Sequence, residues 1–113
     1  MTETFLAPSE VPGNVRAMAI NSTSAQLSWE HPPPETWNGI IIGYVIRVMG
    51  LHTNDSYELP LTSDTKAVLE DLHPDYAYRV SVAAETVDIG PLSSVNLLLP
   101  EGGMVKIIYY INN

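Results

Sequence analysis

Apolar residues in this chain alternate with polar ones at a period of two, in short runs that Pro, Gly, Asn, Asp and Ser interrupt, and no sustained repeat at helical spacing occurs. A chain so patterned folds as strands whose side chains point to opposite faces in turn, so an all-β architecture is expected. Seven runs are drawn, at about 14–20, 24–30, 41–49, 56–61, 65–70, 76–86 and 93–99. In the second, Ala25, Leu27 and Trp29 share one face and Gln26, Ser28 and Glu30 the other. In the third, Tyr44, Ile46 and Val48 alternate with Val45, Arg47 and Met49; in the sixth, Tyr78, Val80, Val82 and Ala84 alternate with Arg79, Ser81, Ala83 and Glu85. The inward sets meet around Trp29 between two sheets packed about 10 Å apart.

With 113 residues the chain has room for one core. Its 45% hydrophobic and 16% charged content separates it from disordered tails. Thirteen acidic against five basic residues give a net charge of −8, which repels phosphate backbones and anionic lipid, so neither nucleic acid nor a membrane surface is an expected partner. The absence of cysteine removes disulfides, thiolate metal sites and cysteine nucleophiles together. The first residues, Met-Thr-Glu-Thr-Phe-Leu-Ala-Pro, lack the basic start of a secretory signal, and no run approaches the roughly 18 apolar residues of a spanning helix. Any signal or anchor of a surface-bound parent is therefore expected outside this fragment.

Between the second and third runs, His31-Pro32-Pro33-Pro34-Glu35-Thr36-Trp37-Asn38-Gly39 must be a long loop, because consecutive prolines cannot donate to a ladder and Asn-Gly accepts positive φ. These residues resemble the fibronectin type III domain. Pro12-Gly13-Asn14-Val15 is similar to that family's opening; Ser24 to Trp29 followed by Pro32 and Pro33, to its second strand and proline loop. Asn38 to Ile46 resembles the third strand with its Gly-Tyr step, Leu72 to Ala84 the signature turn and sixth strand, and Gly90-Pro91-Leu92-Ser93-Ser94 the last loop. The resemblance implies a seven-stranded antiparallel immunoglobulin-like β-sandwich over residues 11–100, preceded by a linker at 1–10 and followed by a β-prone extension at 101–113. It makes Tyr78 the tyrosine-corner residue, its hydroxyl bonded to backbone a few residues upstream, and places Trp29, Tyr44 and Leu72 with it in the core. Tyr76 departs from the family, standing where a small polar residue is common.

The family fixes architecture more than activity. It implies a non-catalytic extracellular module, a spacer and protein-interaction unit of a single-pass cell-surface receptor or adhesion protein. The competing class is an intracellular structural module of a filament-associated protein. No Arg-Gly-Asp and no Trp-Ser-x-Trp-Ser occurs. Two sequons, Asn21-Ser22-Thr23 and Asn54-Asp55-Ser56, lie in expected turns and are candidates for glycosylation. Arg47, Arg79 and Glu85, expected side by side on an outer face, and Trp37 in the long loop are candidate partner contacts.

His31, His52 and His73 are not spaced as metal ligands, and His52, Asp55 and Glu58 lack the carboxylate density of a calcium loop. No nucleophile elbow, Gly-rich phosphate loop or metal motif is present, so no catalytic residue, metal or cofactor is expected. If the parent is a receptor phosphatase, its activity belongs to another domain. Beyond Gly102-Gly103, residues 104–111 form a β-prone run with one charge, Lys106. Such a run is expected to pair as a strand, in cis or as a homodimer contact between two copies.

Overall fold

The computed structural model describes residues 6–102. Seven strands occur among them: β1 (Gly13–Ala19), β2 (Ala25–Glu30), β3 (Gly43–Gly50), β4 (Ser56–Glu58), β5 (Lys66–Leu69), β6 (Ala77–Glu85) and β7 (Ser93–Leu98). Each expected run overlaps one of them. They form two antiparallel sheets, ordered β1-β2-β5 and β4-β3-β6-β7. The expected tail strand at 104–111 lies outside the described residues.

The period-2 pattern becomes a pair of inward faces. Leu27, Trp29 and Leu69 from the small sheet meet Tyr44, Ile46, Val48, Tyr78, Val80, Val82 and Leu97 from the large one, all buried. The Trp29 and Tyr44 rings meet edge to face, with centroids 5.4 Å apart. The indole Nε1 of Trp29 is buried with no hydrogen-bond partner among the described residues. Val45 and Ala83, paired across β3 and β6, point away from this core yet are also buried, at 3% and 0% exposure. Alternation therefore understates how much of the large sheet's outer face is covered.

Local chemistry sets the connections. In the proline loop a 3-10 turn spans Pro34–Thr36, and Pro33 O accepts from Thr36 N–H (2.8 Å) and Oγ1 (2.6 Å). Asn38 then takes φ 58°, the positive value its side chain tolerates. At the turn before β6, Asp71 and Asp75 take φ 57° and 65°. Tyr78 closes this turn, its buried hydroxyl accepting the His73 N–H at 2.9 Å, five residues upstream. Leu72 is buried in the same turn, its N–H bonded to Thr23 O (2.9 Å), which ties this turn to the β1–β2 connection.

Candidate protein-contact surface

The large sheet carries a shallow concavity on its outer face. β3 and β6 pair so that Arg47 lies opposite Ser81 and Met49 opposite Arg79, which makes the two arginines diagonal neighbours. On the other side, β4 places Glu58 opposite Arg47, and Arg47 Nε bonds Glu58 Oε1 at 2.8 Å. With both side chains about half exposed, this pair contributes little to stability, about 0–1 kcal/mol, and serves to orient the guanidinium. Ser81 and Ser94 share a hydrogen bond of 2.7 Å between their hydroxyls. Met49, Tyr57 and Leu92, all partly exposed, complete a groove of about 420 Å³ with Arg47, Arg79 and Ser81.

One expectation about this face needs correction. Glu85 does not stand beside the arginines: it pairs with Gly43, four residues along β3 from Arg47, a separation of about 13 Å at strand spacing. The alternation placed it on the correct face, but register decides neighbourhood. Trp37 stands in the proline loop, as expected, and away from this groove. It is only partly exposed, its Nε1 donates to Pro32 O at 2.7 Å, and its ring tilts against His31. This bond ties the indole to the proline loop.

His31 also does more than sit at the surface, since its Nδ1 and the Tyr44 hydroxyl share a hydrogen bond. Burial holds the Tyr44 phenol above its ordinary pKa of 10.0. Tyr57 is raised in the same direction, first by burial, then by the nearby Tyr78 and Asp71. Tyr76 is partly exposed and its ring lies 4.8 Å from that of His73. Among the described residues no group of three metal-ligating side chains comes together, and no helix is long and apolar enough to cross a membrane.

Both sequon asparagines are exposed. Asn21 Oδ1 accepts from Thr23 N–H (2.9 Å), Thr23 Oγ1 (3.2 Å) and Ser24 Oγ (2.8 Å). These bonds turn the oxygen into the turn and engage none of the Nδ2 hydrogens, the atom to which a glycan is joined. Asn54 stands in the β3–β4 turn. Strand direction brings both turns to one end of the sandwich, opposite the proline loop.

A sequence model of the fibronectin type III domain matches residues 10–95, most of the chain. The chain belongs to the fibronectin type III family. Its sequence is 38% identical over 87 residues to human Roundabout homolog 2, covering 71% of this chain and 6% of that protein. It is 33% identical to the Drosophila melanogaster cell adhesion molecule Dscam1 (77% and 5% covered) and 35% identical to receptor-type tyrosine-protein phosphatase F of Danio rerio (75% and 5%). The solution structure of the third fibronectin III domain of human KIAA0343 protein superposes with a TM-score of 0.77 at 28% identity, covering 86% of each chain. This fibronectin type III domain is thus homologous to modules of cell-adhesion receptors and receptor-type phosphatases, and it spans only about a twentieth of those relatives' length.

Proposed function

We propose that this fibronectin type III domain is a non-catalytic extracellular module of a larger single-pass cell-surface receptor or adhesion protein. It acts as a spacer that sets the distance between its neighbours and as a protein-interaction unit. Residues 11–100 are the module, 1–10 a linker and 101–113 an extension whose run at 104–111 offers a homodimer contact. The contact face for a protein partner is the outer groove with Arg47 and Arg79, because arginine beside tyrosine and methionine is the composition of interface centres, and Met49 and Tyr57 line the same groove. Catalysis, where the parent has any, belongs to another domain.

The observation that carries the extracellular reading is the pair of exposed sequons, Asn21 and Asn54, on turns at one end. The test is mass spectrometry of the parent protein from its own cells, before and after enzymatic deglycosylation. Conversion of Asn21 or Asn54 to Asp on glycan removal is the expected result. Both asparagines unmodified in every preparation would overturn it in favour of the intracellular filament class.

A further inference from the structure

Register arranges the outer face of the large sheet in rows that run across its strands. In one row Arg47 on β3 lies between Glu58 on β4 and Ser81 on β6, and Ser81 faces Ser94 on β7. In the row beside it Met49 lies between Ser56 and Arg79, and Arg79 faces Asn96. The chain carries a net charge of −8, yet the groove on this face is lined by two arginines and a single carboxylate, Glu58. Glu85 stands farther along β6, about 13 Å from Ser81 at strand spacing, and Asp55 lines the neighbouring hollow with Asp71.

The polar groups of the groove are left as donors. Glu58 engages only Nε of Arg47, and this is the one ion pair among the described residues, so Arg79, which is exposed, has no carboxylate partner among them. The Ser81 and Ser94 hydroxyls bond each other, which spends one hydrogen on the pair and leaves the second to be given outward. Beside these donors Met49 and Leu92 are 42% and 38% exposed.

We propose that the groove takes a short acidic segment of a protein partner, in which one Asp or Glu carboxylate binds Arg79 and an adjacent apolar side chain rests on Met49 and Leu92. The proposal rests on the reading of this face as the partner contact and adds what it recognises. A guanidinium without a partner presents paired N–H groups that match the two oxygens of a carboxylate. Charge also limits the size of the ligand. Two arginines against Glu58 leave the groove one positive charge in excess, which suits one carboxylate. An extended polyanion would run from the groove onto an acidic surface with no further cation to hold it. The apolar side of the groove favours the same occupant, since a Leu or Phe side chain buries Met49 and Leu92 and a sulfated sugar does not. A second copy of the chain is disfavoured as the source because two bodies of net charge −8 repel.

The test selects short random peptides, displayed on phage, on the immobilised chain, and titrates synthetic copies of the enriched ones into isotope-labelled chain by NMR. Enriched peptides are expected to join Asp or Glu to a large apolar residue and to shift the signals of Met49, Arg79 and Leu92. Arg79→Gln, and replacement of the peptide's acid by its amide, are each expected to weaken binding about tenfold, and both together little further. Arg16→Gln, exposed on β1 of the other sheet, is expected to leave binding unchanged, and both variants keep the wild-type melting temperature because both side chains are exposed. Peptides that seat in the groove whatever their charge would overturn the acidic chemistry and leave the contact face standing. Peptides that shift only residues elsewhere, or a selection that enriches none, would overturn both. A sulfated oligosaccharide that binds at Arg79 more tightly than any peptide, or a dimer in sedimentation that Arg79→Gln dissociates, would overturn the proposed occupant.

Discussion

Replacing Trp29 by Phe and by Ala separates the two things its burial does. The side chain is 4% exposed at the centre of the core, meets Tyr44 edge to face, and holds an indole N–H with no partner among the described residues. Truncation to Ala removes the whole ring and is expected to cost about 3–5 kcal/mol, the range for large aromatics in a core. Truncation to Phe loses roughly 40 Å³, about 1 kcal/mol of cavity at 24 cal/mol per Å³, plus about 1 kcal/mol of apolar transfer. Against this stands relief of the unsatisfied N–H, about 1–3 kcal/mol. The expected net effect of Trp29→Phe is therefore within about 1 kcal/mol of zero, far below the Ala variant. Urea denaturation followed by far-UV circular dichroism measures both without relying on the indole signal. A Phe variant as destabilised as the Ala variant would refute the reasoning, because the indole N–H would then have to be a satisfied donor.

Tyr78→Phe strands the His73 N–H and is expected to cost about 1–2 kcal/mol, lowering the melting temperature by about 4–8 °C per kcal/mol in calorimetry. Gly43→Ala drives a Cβ to 2.7 Å from Leu61 Cγ and 2.9 Å from Thr62 O, which is itself bonded to Tyr44, so a loss of about 1–3 kcal/mol is expected in urea titration. For Tyr44 and Tyr57 the fold favours the neutral phenol. Their contribution is complete below pH 10.0 and is lost as pH rises through the elevated folded values; a pH series should show an alkaline fall in stability that Tyr44→Phe reduces. Arg47→Ala with Arg79→Ala is expected to change stability by less than about 1 kcal/mol, leaving a folded domain with a weakened partner surface, as thermal melts and binding to partner-bearing cells would show.

The strands were legible because one face of each is buried, and burial imposes the period-2 pattern that Ala25, Leu27 and Trp29 display. The Tyr78 corner was legible through the family resemblance, and its bond to the His73 N–H is what such a residue requires. Face is a local property, but neighbourhood on a face depends on register between strands far apart in sequence, and Glu85 was misplaced for that reason. The Trp37 hydrogen bond was not legible because the carbonyl that takes its N–H, Pro32 O, is reached only once the loop folds back on itself. Nothing in the alternation of β3 and β6 told that Val45 and Ala83 are covered on the outer face.

Extracellular exposure of this fibronectin type III domain is the point on which its proposed role turns, and Lys66 reports on it directly. The side chain is exposed on β5, opposite Ser28 and clear of the groove. Intact cells expressing the parent protein are treated with a membrane-impermeant amine reagent, and the peptide containing Lys66 is recovered for mass spectrometry. Modification of Lys66 without permeabilisation is the expected result; modification only after the membrane is opened would contradict it.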